Sequence, residues 1–235
     1  MDAVLAQAFE TTWPAAEYAD AGGFRLGRAP GAGGRVNSAR RAGDWTQADL
    51  DTAIAIFGDW QQRPVFRVLD DDASLIAALE KRGFQRNNPT AIMTCPIAAL
   101  TDRQVPPVTA FAVWPPLAIQ REIWAAGNIN AARQQVMERV PAPRTSILGR
   151  IKDRAAGAGF VAIHGDVAMV HAIEVAPDWR RAGMAGWMMR QAAIWAEEQA
   201  AARIGLAVSR ANEGAVALYR GFGFDEVAGY GYYEV

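Results

Sequence analysis

The stretch Val175-Ala-Pro-Asp-Trp-Arg-Arg-Ala-Gly-Met-Ala-Gly186 decides how the rest of the chain is interpreted. It follows an apolar run, Val167–Val175, that predicts a β-strand, and it opens a helical pattern that continues to about residue 200. A short turn between a strand and a helix can bind an anion, because the first helical N–H groups have no intrahelical partner and the helix dipole adds positive potential. Small residues in this turn would let a phosphate approach the backbone closely.

Two arginines, Arg180 and Arg181, would add positive charge at the rim of this turn. The plainer alternative is an ordinary strand–turn–helix with surface arginines. The turn has neither the Gly-Lys-Ser/Thr of a Walker loop nor the G-x-G-x-x-G order of a dinucleotide-binding fold. About 30 residues later comes a second notable series, Asn212-Glu-Gly-Ala-Val-Ala-Leu-Tyr-Arg-Gly-Phe-Gly-Phe224, in which Asn212 is placed to cap a helix.

Together the two series resemble the hallmarks of the GCN5-related N-acetyltransferases (GNAT). The first resembles the Arg-x-x-Gly-x-Gly/Ala pyrophosphate loop of that family, and the second its Asn-x-x-Ala-x-x-x-Tyr-x-x-x-Gly-Phe series. The resemblance covers roughly residues 107–235. It implies a mixed α/β (α+β) fold with six or seven strands and four helices. Its sheet would part between Val167–Val175 and Arg203–Val208, with acetyl-CoA in the gap.

The same resemblance implies acetyl transfer from acetyl-CoA to a primary amine by direct attack in a ternary complex, without a metal. Tyr219 would protonate the leaving thiolate, and His171 would act as a base or hold a water chain, on a strand face shared with Ile173 and Val175. Backbone near those last two residues would hold the oxyanion. The residues implied to bind the cofactor are Ile173, Val175, Arg180, Arg181, Ala182, Gly183, Met184, Ala185, Gly186, Asn212, Ala215 and Tyr219.

Each of these roles has a simpler structural alternative. Tyr219 could be packing on a helix face, Asn212 a simple N-cap, and His171 a core histidine with satisfied hydrogen bonds. Glu174 is less favoured as a base, because strict alternation along the strand places it on the opposite face. Two other classes of function also stay open: an acyl-CoA-binding regulatory protein without turnover, and a nucleotide-binding protein using the same turn.

Composition excludes several other classes of function. The 235 residues are 51% hydrophobic and 21% charged, with a formal net charge of −1, so no basic excess indicates a nucleic-acid or membrane partner. No apolar run approaches the ~18 residues that span a bilayer, and the N-terminus lacks a signal peptide's basic region. The only cysteine, Cys95, lies in an apolar run and is interpreted as core. We expect a cytoplasmic protein with a small-molecule or peptide amine as acceptor, and a homodimer is left open.

The first half repeats the sequence pattern of the second but lacks the residues to which cofactor binding and catalysis are assigned. At an offset of 140 positions, Val68 falls on Val208 and Gly83-Phe84 on Gly223-Phe224, but Asp72 and Leu79 replace Asn212 and Tyr219. This predicts a degenerate GNAT-like domain at residues 1–98 that binds no acetyl-CoA, a Pro-rich linker at 99–116 and a catalytic GNAT domain at 117–235. The Gly-rich turn at 30–34 is interpreted as a hairpin loop.

Overall fold

The computed structural model describes all 235 residues, which form seven α-helices and eleven β-strands. The helices are α1 (Ala3–Thr11), α2 (Gln47–Asp59), α3 (Ala73–Lys81), α4 (Ala118–Ala126), α5 (Ala131–Arg139), α6 (Met184–Glu198) and α7 (Glu213–Gly221). The strands are β1 (Glu17–Ala21), β2 (Phe24–Arg28), β3 (Ala39–Arg41), β4 (Val65–Leu69), β5 (Gln85–Pro96), β6 (Ala110–Val113), β7 (Arg144–Ile151), β8 (Arg154–His164), β9 (Val167–Val175), β10 (Arg203–Ser209) and β11 (Asp225–Glu234).

All eleven strands belong to one mixed sheet in the order β1-β2-β3-β4-β11-β5-β10-β9-β8-β7-β6. The last strands of the two halves are exchanged in this order. β5, from the first half, pairs with β10, and β11, from the second half, pairs with β4. The two halves therefore share one continuous sheet, which binds them together by backbone hydrogen bonds and not only by side-chain packing.

The internal repeat predicted from the sequence is visible in the geometry of α3 and α7. Their N-caps, Asp72 and Asn212, have backbone angles of φ −87°, ψ 67° and φ −87°, ψ 68°. Each accepts a hydrogen bond at 3.2 Å from the backbone N–H three residues later. The order strand, helix, strand, helix, strand is likewise the same in β3-α2-β4-α3-β5 and β9-α6-β10-α7-β11.

The predicted linker, residues 99–116, is only partly a linker. Its Ala110–Val113 segment forms strand β6, which pairs antiparallel with Ser146–Gly149 of β7 at the edge of the sheet. The alternation in this short segment is too brief to stand out beside Pro106-Pro107 and Pro115-Pro116. The sheet of the second half therefore begins within the Pro-rich segment.

The central strands are covered on both faces, as the apolar residues on both sides of β9 predicted. One face packs against α6 in a cluster that includes Ala168 and Val170. The other packs against α1, where Val167 and Met169 contact Leu5, Ala8 and Phe9. Cys95 is buried in the first cluster, and burial raises the pKa of its thiol to about 12, so it is part of the core, as predicted. None of the helices has the length and apolarity that crossing a bilayer requires.

Candidate functional site

Two parallel strands part in the middle of the sheet and open a gap. β9 and β10 are paired only from Val167–Arg203 to Val170–Leu206. Beyond these four pairs β9 continues to Val175 without a partner on that side, while β10 continues alongside β5. This is the splayed pair of strands that the family resemblance implied, and the cleft described next opens from it.

A β-bulge in β9 changes which side chains face this cleft. The register with β8 shifts between Phe160–His171 and Ala158–Glu174, and Ala172 has a left-handed φ of +52°. An extra residue in a strand reverses the alternation of side chains that follow it. The sequence prediction that His171 shares a face with Ile173 and Val175 is therefore wrong. The latter two pack on the α6 face, whereas His171 faces α1 and the segment that follows it.

The turn before α6 leaves its backbone N–H groups free. No hydrogen bond within the protein is made by the N–H groups of residues 181–186, and no side chain caps the helix. The N-cap Gly183 adopts a left-handed conformation (φ +78°, ψ 1°), which glycine adopts at little cost and which turns the chain into the helix. Six consecutive free donors at the start of a 15-residue helix are the anion-binding arrangement expected from the sequence.

A cleft of about 700 Å³ lies against these free donors. We refer to it as the α6 cleft. All of the residues predicted to bind the cofactor line it except Ala182. The cleft also includes Glu174, Trp179, Gly214, Ala217 and Leu218. The geometry thus brings the two sequence motifs together across one cavity; their contacts with a cofactor stay a prediction.

Arg180 is tied to the end of β9 rather than free. Its Nη2 lies 3.0 Å from Glu174 Oε1, and its Nε donates to the Val175 carbonyl oxygen at 3.0 Å. The Glu174 carboxylate is mostly shielded from solvent, with 17% of its side chain exposed. Arg180 therefore fixes the turn onto the strand, and Glu174 is occupied as its counter-ion.

Asn212 and Tyr219 lie on the opposite wall of the α6 cleft, on and before α7. The Asn212 side-chain oxygen accepts from the Ala215 N–H, so its role as an N-cap is established by geometry, while its amide nitrogen makes no bond within the protein. Tyr219 is 8% exposed, and its hydroxyl makes no hydrogen bond to another residue of the chain. Burial raises the pKa of this phenol to about 12, so it stays protonated at any physiological pH.

His171 is held by hydrogen bonds on both ring nitrogens. Thr12 donates its hydroxyl proton to the Ala8 carbonyl oxygen at 2.7 Å, so the Thr12 oxygen accepts from His171 Nε2–H at 2.9 Å. The other nitrogen, Nδ1, then accepts from Arg35 Nη1 at 3.2 Å. Burial, followed by the charge of Arg35, holds the pKa of His171 well below its usual value.

These contacts do not support the predicted role of His171 as a general base. The only ring nitrogen that could accept a proton, Nδ1, already accepts a hydrogen bond from Arg35, so His171 cannot take a proton from an amine without losing that bond. The ring also packs against Trp13 at 5.0 Å between centroids, in the manner of a core histidine. The sequence could not indicate this, because Thr12 and Arg35 are more than 130 positions away from it.

A second cleft meets the α6 cleft at Ile173, Asn212, Ala215 and Tyr219, which line both. We refer to it as the acceptor-side cleft. Its volume is about 350 Å³. Its walls come from both halves of the chain: Trp13 and the Gly-rich turn from the first half, Asn88 and Thr90 from the exchanged strand β5, and Ile129, Arg133, Tyr230 and Tyr232 from the second half.

The Gly-rich turn is the part of this cleft that sequence reasoning missed. The prediction of a hairpin loop is confirmed, since the turn connects β2 to β3, which pair antiparallel, with a short 3₁₀ turn at residues 34–36 before β3 begins at Ala39. The prediction did not place this loop at a cleft. Ala32, Gly33, Gly34 and Arg35 line the acceptor-side cleft. A Gly-rich segment carries no signal for which distant strand it will approach, so only the fold could place it here.

Comparison with known proteins agrees with this architecture. A family model described as "Acetyltransferase (GNAT) family" matches residues 112–224. A GCN5-related N-acetyltransferase from Kribbella flavida is similar in structure, with a TM-score of 0.72 and 16% identity over 98% of this chain and 92% of that one. A functionally unknown conserved protein from Staphylococcus epidermidis ATCC 12228 is similar with a TM-score of 0.69 and 10% identity, over 95% of this chain and 94% of that one. No curated protein matches the chain.

A third similar structure bears on the repeat. It is a tandem GNAT protein from the clavulanic acid biosynthesis pathway, with a TM-score of 0.61 and 15% identity over 84% of this chain and 74% of that one. The fold is therefore that of the acetyltransferases with a splayed central sheet, and the likeness extends over both halves. Residues 112–224 match the acetyltransferase (GNAT) family model, and the fold of the whole chain is that of the GCN5-related N-acetyltransferases.

Proposed function

We propose that the protein is an N-acetyltransferase that moves the acetyl group of acetyl-CoA to a primary amine by direct attack in a ternary complex. The observation that carries this proposal is the set of six unpaired backbone N–H groups before and at the start of α6, facing the α6 cleft. That cleft meets the acceptor-side cleft at Tyr219. Two substrates could therefore approach one point from opposite sides of the parted strands.

The residues of the α6 cleft fit a coenzyme A ligand. The free N–H groups of residues 181–186 would bind its diphosphate, with added charge from Arg181, which has no carboxylate within 4 Å. The gap beyond Val170 and Leu206 would receive the pantetheine arm, because the edge of β9 has no strand beside it there. Acetyl-CoA would supply a thioester, an acetyl group activated for transfer to nitrogen.

Water and Tyr219 then carry out the proton transfers. The amine must be neutral to attack, yet no aspartate or glutamate lines the acceptor-side cleft and His171 is occupied. The ammonium form therefore first loses a proton to water. The neutral nitrogen then bonds to the acetyl carbon and releases a second proton to water as the carbon–sulfur bond breaks. Tyr219 gives its proton to the departing sulfur and regains one from solvent. With Cys95 buried and protonated, no acetyl-enzyme step is needed.

The test is consumption of acetyl-CoA with a panel of amines, combined with the variant Tyr219→Phe. We expect kcat to fall about 100-fold, the lower end of what a positioned proton donor contributes, while coenzyme A binds with unchanged affinity. Tyr233→Phe is the matched control, since Tyr233 is also buried but lines neither cleft. Unchanged kcat in Tyr219→Phe would remove the proton-donor role.

A second candidate is an acyl-CoA-binding regulatory protein without turnover. One observation favours it: no side chain lining the acceptor-side cleft is free to accept a proton. Calorimetry separates the two functions. Coenzyme A binding together with no reaction across a broad amine panel would favour the regulatory protein, whereas turnover that rises with pH toward the pKa of the amine itself would favour the enzyme with water as proton acceptor.

A further inference from the structure

We propose that the acceptor is an amine that also carries a carboxylate, as a free amino acid does, and that Arg133 binds this carboxylate. The proposal rests on the proposed acetyltransferase function and names its substrate class. It is argued from the charges that line the acceptor-side cleft, from the unpaired edge of Arg133, and from the apolar surface beside it.

The two charged side chains that line the acceptor-side cleft are both positive. Of its 22 lining residues, the only charged side chains are Arg35 and Arg133, and none is acidic. His171 is neutral, since both of its ring nitrogens are engaged as described above. The only carboxylate that lines the α6 cleft, Glu174, is paired with Arg180. A polyamine or an aminoglycoside would meet like charge here and find no carboxylate to pair with, so such acceptors are selected against.

Arg133 has an unpaired guanidinium edge. Its Nη1 is fixed by the Asn128 carbonyl oxygen at 3.0 Å, but its Nε and Nη2 make no hydrogen bond and no carboxylate lies within 4 Å of it. Two adjacent N–H donors on one edge match the two oxygens of a carboxylate. A fixed guanidinium with that edge free is a suitable anchor for the carboxylate of a substrate.

The Gly-rich turn makes room for this edge. A Cβ placed on Gly33 would lie 2.7 Å from Arg133 Nη2 and 3.2 Å from its Nε. Gly33 also has a left-handed φ of +88°. Any side chain at this position would displace the guanidinium, so the glycine keeps the edge of Arg133 open within the cleft.

Arg35 adds a second charge that the protein does not neutralise. It stacks on the Phe9 ring, with its central carbon 3.7 Å from the ring centroid, and has no carboxylate within 4 Å. Its Nε is buried without a hydrogen-bond partner. Burial lowers the pKa of Arg35 to about 10, so it remains charged at neutral pH. A buried cation without a counter-ion is costly, and an anionic substrate in the same cleft offsets that cost.

The rest of the cleft suits an apolar or aromatic side chain. Trp13, Ile129, Tyr230 and Tyr232 line it, and the rings of the two tyrosines are in T-shaped contact at 5.5 Å. The other polar side chains of the cleft, on Asn88, Thr90, Ser209, Asn212 and Tyr219, are uncharged. We therefore choose L-phenylalanine as the first probe.

The experiment compares three acceptors that differ only at the carboxylate: L-phenylalanine, L-phenylalaninamide and phenethylamine, with spermidine as a cationic competitor. The wild-type protein should prefer L-phenylalanine over the other three in kcat/KM. In Arg133→Gln, we expect kcat/KM for L-phenylalanine to fall about 10- to 100-fold, mainly through KM, because a charge-assisted pair is lost. The value for the amide should stay within about threefold. Arg154→Gln is the matched control, since Arg154 is exposed, unpaired and outside both clefts.

Preference for spermidine or for the amide would overturn the proposal, and so would an equal loss for acid and amide in Arg133→Gln. If coenzyme A binds but none of the probes is acetylated, the proposal that the acceptor is an amino acid is also overturned. Calorimetric titration of L-phenylalanine without acetyl-CoA tests the site independently of catalysis. If L-phenylalanine binds, its amine analogue without a carboxylate does not, and Arg133→Gln abolishes the binding, the carboxylate site is supported whether or not coenzyme A binds. Failure of coenzyme A to bind would instead refute the acetyltransferase function.

Discussion

The N-termini of α2 and α6 occupy the same place in the two halves of the chain. The first N–H groups of α2 are hydrogen-bonded to side chains, whereas those of α6 are left free. α2 begins with a capping box: Thr46 accepts from the Asp49 N–H at 3.2 Å, and Asp49 accepts from the Thr46 N–H at 2.9 Å. α6 begins at Gly183 with no side-chain cap. One helix start is closed by its own side chains and carries a negative charge, whereas the other is open to an external anion.

This difference shows that the repeat kept its packing and not its ligand chemistry. The helices after each cleft, α3 and α7, retain nearly identical caps, so the scaffold needs them for folding. The capping box of α2 provides hydrogen-bond acceptors for the first N–H groups of that helix, as a bound diphosphate would for α6. A cavity of about 810 Å³ does lie beside β4 and α3, but its arginines Arg40, Arg41 and Arg67 are all paired with carboxylates.

The largest effect is expected when an acidic side chain is placed at the uncapped N-terminus of α6. We expect Ala185→Asp to weaken coenzyme A binding about 100-fold or more, because a carboxylate next to the free N–H groups competes with the diphosphate and repels it. The helix itself should be slightly stabilised, since negative charge is favourable at a helix N-terminus. Calorimetry measures the affinity. Ala185→Asn is the neutral control, and an equal loss in that variant would point to steric obstruction instead of charge.

The converse change opens the closed helix start. Thr46→Ala removes the side-chain acceptor of the capping box, and we expect the free energy of unfolding to fall by about 1 to 2 kcal/mol. It should not create a second coenzyme A site, because Asp49 and Trp45 still occupy this turn. Denaturant unfolding gives the stability, and the stoichiometry of coenzyme A binding should remain one per chain. A stoichiometry of two would contradict the view that the first half has lost its ligand.

A smaller effect is expected where the two halves meet at His171. Its pKa is lowered in the folded protein, so the unfolded chain binds a proton more readily as the pH falls below about 6.5. The stability that depends on neutral His171 is therefore fully present above that pH and is lost as the pH falls toward the lowered pKa. Between pH 7.5 and 5.5 the loss should be about 1 kcal/mol.

Denaturant unfolding at both pH values measures this loss in the wild type and in His171→Gln, which removes the titrating ring. The variant should be less stable at pH 7.5 and less sensitive to acid. A pH dependence equal to that of the wild type would show that other groups titrate in this range. His164, which is partly exposed at the end of β8, provides the control His164→Gln.

Sequence reasoning succeeded where the signal was local. The free helix start follows from Gly183 and the small residues after it, the N-cap at Asn212 follows from its residue type, and the repeat follows from one constant offset. It failed at Ala172, because an alanine with a positive φ looks like any other strand residue, and the bulge moved His171 away from the face predicted for it. A single extra residue was enough to move a candidate base to the other face of the strand.

The sequence by itself determined the strand–turn–helix with its open N–H groups, because backbone geometry, helix dipole and residue size act over a few neighbouring positions. Only the tertiary structure decided the acceptor-side cleft. Its residues lie between positions 13 and 232, and they come together because the halves exchange their last strands and α1 packs across the shared sheet. Such contacts depend on the packing of the whole chain, for which no short segment carries a signal.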